Sequence, residues 1–326
     1  MINKTIIDSL SKELNAYRKD KSKKWKAIAL QKAIGILKDY SETIKEGNDV
    51  AHLKGIGKGM ITRIDEILAT GTLADISTED ANIDVELLDR FKSITGVGNV
   101  RAEKWVKAGY TSIQDIIKAR DAGEITTTHH IDVGLRYYGD FQHRIPRTEI
   151  DIIKKLFAKA VKKVNKKLTF EICGSYRRGL KDSGDVDVIF TDPNAKAESD
   201  IHENGYLQKI VAELKASGHI VDDLTTNGDK KYMGVINVDT SNKSNRNRRI
   251  DIRCFNIEEY YAAILYFTGS KNFNVLIRQK ANSLGLSLNE YGLTNTKTGE
   301  VTTLTSEKEL FDILNINYLP PTERDL

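Results

Sequence analysis

Cysteine is nearly absent from this 326-residue chain: Cys173 and Cys254 are the only two. Two thiols in apolar, strand-like sequence cannot form a disulfide scaffold, and they read as reduced, structural groups of an intracellular protein. Long apolar runs are missing too, so no segment is expected to span a membrane. The polar, helical opening MINKTIIDSLSKELNAYRKD has no signal-peptide core. An excess of one charge is also lacking, since 50 Lys+Arg against 46 Asp+Glu leave only +4 and exclude a uniformly basic protein. The basic residues gather instead in RKDKSKKWK near the start and in NKSNRNRR before Ile250. Such runs are solvated faces more often than phosphate contacts. No long basic nuclear signal stands out. A chain of this length buries a sizeable core and holds two or more folding units.

What is present first is helix. In WKAIALQKAIGILKDY the residues Trp25, Ile28, Ala29, Ala33, Ile36 and Leu37 recur at helical spacing, and Trp25 and Trp105 are spaced as helix-core residues, with stacking near nucleic acid as the alternative for either. Two glycine-punctuated stretches then resemble each other: LKGIGKGMITRIDEILATG, from Leu53, and ITGVGNVRAEKWVKAGYTSIQDI, from Ile94. Each reads as a helix–turn–helix hairpin, an internal repeat. Glycines at Gly55, Gly57, Gly96 and Gly98 allow a tight turn and close approach of a ligand. The N–H groups opening the next helix could then hold a phosphate, with Lys58, Arg63, Arg101 and Lys104 behind them. A bare helical corner is the alternative for one copy; two copies favour sequence-tolerant, salt-sensitive binding of a nucleic-acid backbone.

From about Arg147 the texture becomes α+β. The helix RTEIDIIKKLFAKAVKKV precedes strand candidates LTFEICG, VDVIF, YMGVINV and RRIDIRCFN, with DTSNKSNRNR as a hairpin loop. EEYYAAILYFTGSKNFNVLIRQKANSLG reads as two helices broken at Thr268-Gly269. Within CGSYRRGLKDSGDVDVIF, Asp185 and Asp187 stand one residue apart on a strand, so both carboxylates share a face. Side by side they repel, and burial of either is costly, so something positive belongs there. Asp251, flanked by core-facing Ile250 and Ile252, supplies a third carboxylate on another strand. A lone D-x-D is usually a surface charge. Gly-Ser, Arg-Arg, Gly-Asp-x-Asp and a later strand Asp together suit Mg²⁺ and substrate phosphates in an in-line displacement. His129-His130 reads as solvated linker, and Tyr137-Tyr138 as packing.

CGSYRRGLKDSGDVDVIF and RRIDIR resemble the palm of the family X DNA polymerases, closely the beta type. KGIGKGMITRIDEILATG and ITGVGNVRAEKWVKAG resemble that family's two helix–hairpin–helix motifs, and HRIPRTEI the start of its palm. YFTGSKNFNVLIR and LNEYGL resemble its nucleotide-selecting subdomain, and SEKELFDILNINYLPPTERDL its C-terminal tail. The likeness covers nearly the whole chain. It implies an all-helical N-terminal domain with both hairpins, then a nucleotidyltransferase-type palm with a mixed or antiparallel sheet, then a small α+β subdomain. The expected divisions are 1–80, 81–141, 142–253 and 254–326.

By that resemblance, Asp185 and Asp187 bind two Mg²⁺ ions, for which Mn²⁺ can substitute, and Asp251 serves the primer 3′-hydroxyl as base or metal ligand. Ser175, Arg178 and Gly184, with Arg144 nearby, contact the triphosphate of an incoming dNTP. Tyr266, Phe267 and Gly269 form the sugar-reading turn, Asn274 reads the new base, and Arg278 lies close to the template. Arg249 joins the DNA contacts, and Glu290, Tyr291 and Arg253 couple subdomain closure to catalysis. The hairpins hold gapped or nicked double-stranded DNA, each with Na⁺ or K⁺ on backbone carbonyls of Leu53 and Ile56 or Ile94 and Val97. Lys271 departs from the family's acidic residue beside the nucleotide.

A second departure falls on the family's 5′-deoxyribose-phosphate lyase. Aligned on GIGKGMITRIDE, the Schiff-base lysine is replaced by Arg63, a helper lysine by Gly59 and an acidic neighbour by Thr62. Arginine keeps its charge and forms no imine under ordinary conditions. Lys26, Lys58 and Arg63 are thus expected to keep the 5′-phosphate while the lyase chemistry is lost. Lys54 or Lys58 is the alternative nucleophile, although no neighbour offers the needed pKa depression. The resemblance implies a template-directed, gap-filling repair polymerase, monomeric, with a repair ligase as a further partner and no membrane association. It would work inside the cell, in the nucleus or, if the AT-rich style of the sequence is viral, at a cytoplasmic replication site. No proofreading exonuclease segment is apparent, and no BRCT-like extension is expected. The rival readings are a template-independent nucleotidyltransferase, a non-catalytic DNA scaffold and a bifunctional polymerase/lyase.

Overall fold

A computed structural model describes residues 3–20, 23–74, 84–226, 228–242 and 244–325. The chain divides into two compact units, residues 1–127 and 128–326. The expected boundary between residues 80 and 81 lies outside the described residues.

The first unit is helical. Helices α1 (Lys4–Lys19), α2 (Lys24–Asp39) and α3 (Lys58–Thr70) enclose one core. Ile6, Leu10 and Leu14 of α1 meet Leu30, Ile34 and Leu37 of α2 and Ile64 and Ile67 of α3. The buried stripe of α2 is Ala27, Leu30, Ala33, Ile34 and Leu37. That corrects the expected face: Trp25 is 77 % exposed and belongs to no core. The helix carries two apolar stripes, and the one at positions 27, 30, 34 and 37 follows the 3.6-residue period more closely. Helices α4 (Val85–Lys92), α5 (Asn99–Lys107) and α6 (Ile113–Asp121) follow. Trp105 of α5 is buried edge-on against Phe91, as expected.

The second unit begins with α7 (His129–Arg136) and α8 (Tyr138–Phe141). His129-His130 is therefore not a solvated linker. Thr128 caps α7 by accepting the Ile131 N–H, and His129 Nε2 lies 2.6 Å from the Asp223 carbonyl oxygen. His130 is partly buried, and burial lowers its pKa, aided by Arg249 and Lys231. Tyr137 stacks on Phe141. A two-residue strand β1 (Ile145–Pro146) leads into α9 (Arg147–Val164), the span its apolar period predicts.

The main sheet contains β2 (Thr169–Ile172), β4 (Val186–Thr191), β5 (Ile220–Asp223), β6 (Lys231–Ile236) and β7 (Arg248–Cys254). Its order is β2-β4-β7-β6-β5, with β4 and β7 parallel and the other neighbours antiparallel. Between β2 and β4 lie the short helix α10 (Gly174–Arg177) and strand β3 (Asp182–Ser183), which pairs with β1. Helices α9, α11 (Glu198–Asn204) and α12 (Tyr206–Ala216) cover one face, where Ile153, Phe157, Leu207 and Ile210 pack on Val188, Phe190, Ile250 and Ile252. Burying each such side chain contributes roughly 1.5–3 kcal/mol. Both cysteines are buried and free.

Helices α13 (Ile257–Thr268) and α14 (Lys271–Ser283) then meet at a glycine turn. A three-stranded sheet, β8 (Leu286–Leu288), β9 (Leu293–Asn295) and β10 (Val301–Thr302), and helix α15 (Glu307–Ile313) complete the second unit. Among the described residues no helix is long and apolar enough to cross a membrane.

Candidate active site and strand-binding hairpins

The parallel pairing of β4 with β7 puts Asp187 directly opposite Asp251. Parallel neighbours stand about 4.8 Å apart, so these carboxylates face each other at close quarters. Asp185 lies just before β4 on the same side. Burial, then the charges of Asp185 and Asp251, push the Asp187 carboxyl up to about 8. Burial is also the largest cause at Asp251, raised to about 6 although Arg249 pulls it down. Asp251 Oδ1 is buried with no hydrogen-bond partner, and Asp185 is held by the Arg249 guanidinium. The chain thus gathers three carboxylates and compensates only one. Among the described residues no three His, Cys, Asp or Glu side chains stand as a ready metal cage. The donor chemistry nevertheless fits a hard divalent cation: mutually repelling carboxylates with an orphaned oxygen, their protons replaceable by metal.

Asp185 and Asp187 line a cleft of about 610 Å³ together with Arg144, Ser175, Arg178, Gly184, Tyr266, Phe267, Gly269, Lys271, Asn274 and Arg278. Asp251 stands behind Asp187 on the next strand and is not part of that lining. Gly174 carries φ 58°, and a Cβ there would sit 2.8 Å from Asp187 Oδ2, so the turn out of β2 admits only glycine. The Ser175 hydroxyl donates to the Ser183 hydroxyl at 2.7 Å. Arg144 bonds Asp182 at 2.8 Å, and its Nη1 passes 3.3 Å from where a Cβ on Gly184 would lie. Asn274 Nδ2 donates to the Tyr266 carbonyl at 2.7 Å and so braces the turn, whose Gly269-Ser270 peptide is cis. Arg278 lies over the Tyr266 ring and Arg253 over that of Phe267. Phe255 links Phe267 to Tyr291, joining Arg253 and Tyr291 through rings. Glu290 forms no ion pair among the described residues.

Sequence reasoning missed a layer of partners here. Arg177 forks onto Glu307 and donates to the Thr268 hydroxyl, and Arg324, fully buried, reaches the same Glu307. Arg178 donates to the Thr268 carbonyl at 2.8 Å and to Asp325 at 3.1 Å. The only signal was an Arg-Asp pair in the terminal PPTERDL.

In the first unit the two hairpins share their geometry. The Ile56 N–H bonds the Leu53 carbonyl, and the Val97 N–H the Ile94 carbonyl, both at 3.0 Å. Gly55 and Gly96 have φ of 108° and 89°, and Gly57 and Gly98 cap α3 and α5. Lys26, Lys54, Lys58 and Lys104 are exposed, and Arg101 donates to the Thr126 carbonyl. Arg63 is differently placed. Its Nε donates to both oxygens of Glu13 at 3.0 Å, Nη1 to the Gly59 carbonyl and Nη2 to the Tyr17 hydroxyl. Glu13 is buried and also accepts from Tyr17 at 2.5 Å. Three nitrogens are thus engaged inside the protein, so Arg63 offers less to a phosphate than its sequence position suggests. Glu13 and Tyr17, spaced i, i+4 within an apolar stripe, were the legible sign of a buried partner.

A sheet bearing apposed aspartates beside a cleft lined by arginines, after a helical unit with two hairpins, defines a polymerase-type palm architecture. Family models agree segment by segment: a helix-hairpin-helix domain over residues 1–73, the fingers domain of DNA polymerase lambda over 89–142, and the palm and thumb of DNA polymerase beta over 144–257 and 263–325. The chain belongs to the family X DNA polymerases. It is 32% identical over 316 residues to DNA polymerase lambda of Rattus norvegicus, covering 93% of this chain and 53% of the relative. It is 28% identical to DNA polymerase lambda of Arabidopsis thaliana, over all of this chain and 62% of the relative. DNA polymerase type-X family protein pol4 of Schizosaccharomyces pombe is 26% identical over 99% of this chain and 65% of its own length. The chain therefore spans between 53% and 65% of these curated relatives.

Proposed function

We propose that this chain is a template-directed DNA polymerase that fills short gaps in DNA during repair, with the lyase chemistry of its family lost. The observation that carries the reading is the apposition of Asp251, across parallel strands, with Asp187, which with Asp185 lines the arginine-bearing cleft. Two divalent cations, Mg²⁺ with Mn²⁺ as substitute, held by Asp185, Asp187 and Asp251, would supply charge neutralisation at the phosphate and a more acidic 3′-hydroxyl. Asp251 would take the proton of that hydroxyl or share in holding the metal. Arg178, Ser175 and the backbone at Gly184, with Arg144 beside them, hold the triphosphate of the dNTP. Tyr266, Phe267 and Gly269 exclude a 2′-hydroxyl, Asn274 keeps its Oδ1 for the base edge, and Arg278 faces the template. Arg253, Tyr291 and Glu290 carry subdomain closure.

In the first unit, Lys26 and Lys58 grip the downstream 5′-phosphate, with Arg63 contributing its exposed edge. Gly55, Gly57, Gly96, Gly98 and Arg101 approach the backbone of gapped duplex, and Arg249 the primer. The carbonyls of Leu53, Ile56, Ile94 and Val97 seat Na⁺ or K⁺. The finer division into 1–80, 81–141, 142–253 and 254–326, the monomeric state and a ligase partner belong to the same reading. The test is extension on a one-nucleotide gap with each template base in turn. Incorporation that follows the template, and is lost in Asp187→Asn, is expected; incorporation indifferent to the template base would leave a template-independent transferase.

A further inference from the structure

The arginine assigned to the triphosphate is already occupied by the chain's own tail. Asp325, next to last in the sequence, accepts from Arg178 Nε at 3.1 Å, and the same oxygen stands 3.1 Å from Nη2. The remaining direction of the guanidinium points to the Thr268 carbonyl, at 2.8 Å. Arg178 keeps only 13% of its side chain exposed, whereas Asp325 keeps 45%. The tail is not there by accident of a loose end. Its neighbour Arg324 is fully buried, tied to Glu307 and to the Leu319 carbonyl, and enclosed by the rings of Phe273, Phe311 and Tyr318. The Ser270 N–H donates to the Arg324 carbonyl at 3.2 Å, fastening the tail to the turn that lines the cleft. Rigid anchoring of Arg324 thereby fixes the next residue against Arg178.

A carboxylate on Arg178 and a phosphate on Arg178 cannot both enjoy the same donors. They are also like charges within a few ångströms, so each disfavours the other. We infer that Asp325 is a counter-charge that competes with the incoming triphosphate for Arg178 and so sets the nucleotide concentration at which the enzyme works. Nucleotide entry breaks the Arg178–Asp325 pair and turns Asp325 out to solvent. The pyrophosphate product meets the same competitor, so Asp325 hastens its departure as well. Asp325 touches no reacting atom. It is a positioning residue, and it acts on binding rather than on chemistry.

This inference rests on the assignment of Arg178 to the triphosphate, and the experiment separates the two. Steady-state and single-turnover gap filling are measured for Asp325→Asn, Asp325→Glu and Arg178→Ala, each also titrated with pyrophosphate as inhibitor. Asp325→Asn is expected to lower KM for dNTP roughly two- to fivefold, the size of a partly exposed ion pair. It should strengthen pyrophosphate inhibition by a similar factor and leave kcat within about twofold. Asp325→Glu keeps the charge and should stay near wild type. Unchanged or raised KM in Asp325→Asn, with Arg178→Ala raising KM, would overturn the role of Asp325 alone. Wild-type KM in Arg178→Ala would overturn the nucleotide-site assignment beneath it. A fall in kcat for Asp325→Asn at unchanged KM would mark a structural tail contact and refute the inference.

Discussion

Two clusters of buried charge in this protein are built in opposite ways. In the helical unit, Glu13 is matched by Arg63, shared with Tyr17 and sealed in the core between α1 and α3. In the second unit, Asp187 and Asp251 face one another, and only Asp185 has a cation of its own. The first arrangement is complete without any ligand and explains stability. The second leaves a buried oxygen without a partner and a carboxyl near pKa 8, which no fold needs for its own sake. The motif resemblance implies functional roles for both Arg63 and Asp187, yet only Asp187 is electrostatically unfinished. Chemistry is expected where the charge is left open.

The largest effect should come from closing the open cluster. Asp187→Asn should cut gap filling by at least about 10²–10³-fold, the range for removing a group that stabilises charge in a transition state. Glu13→Gln should leave extension per folded molecule within about twofold but destabilise the helical unit by about 1.5–3 kcal/mol, as for a hydrogen bond to a charged group. Thermal unfolding alongside extension kinetics measures both, and a stable Glu13→Gln protein would break the contrast.

Stability against pH gives the next effect, and its sign follows from the shifts. Asp187 and Asp251 have folded pKa values of about 8 and about 6, above the ordinary 3.8. A raised carboxyl contributes stability that is full below the ordinary value and is lost as pH rises through the folded one. In chelator, wild type should therefore lose stability between about pH 4 and pH 8, Asp187 contributing across that whole window and Asp251 only up to about pH 6. Asp187→Asn should lose less over that range, and added divalent cation should flatten the wild-type curve. A wild-type curve that rises across this window in chelator would contradict the assignment.

Gly55 and Gly57 sharpen the comparison within one hairpin. Gly55 has φ 108°, and a Cβ there would meet Ile36 at 2.7 Å. Gly57 has ordinary dihedrals and open space. Gly55→Ala should cost about 1 kcal/mol or more of stability. Gly57→Ala should be nearly neutral for folding and weaken gapped-DNA binding a few-fold, read by melting and by fluorescence anisotropy.

Much of this was legible in the sequence. The α9 helix, the strands around Asp187 and Asp251 and the twin hairpins carry strong periods and glycine punctuation, and the side-by-side aspartates follow from a two-residue alternation. The partners of charges were not legible, because they come from far along the chain. Glu13 lies 50 residues from Arg63, Glu307 lies 130 from Arg177 and Asp325 lies 147 from Arg178. Trp25 was misplaced because α2 has two apolar stripes and packing against α1 chose the other. His129 and His130 were misread because the cap at Thr128 looks like loop composition until the helix is seen.

The most direct measurement presents one substrate to both units: a gapped duplex carrying a 5′-deoxyribose phosphate, with borohydride trapping and nucleotide incorporation followed in the same reaction. Template-directed filling, dependent on Mg²⁺, with no protein–DNA adduct is the expected result. A trapped adduct would contradict the loss of lyase chemistry and direct attention to Lys54 and Lys58; failure to incorporate would contradict the palm assignment.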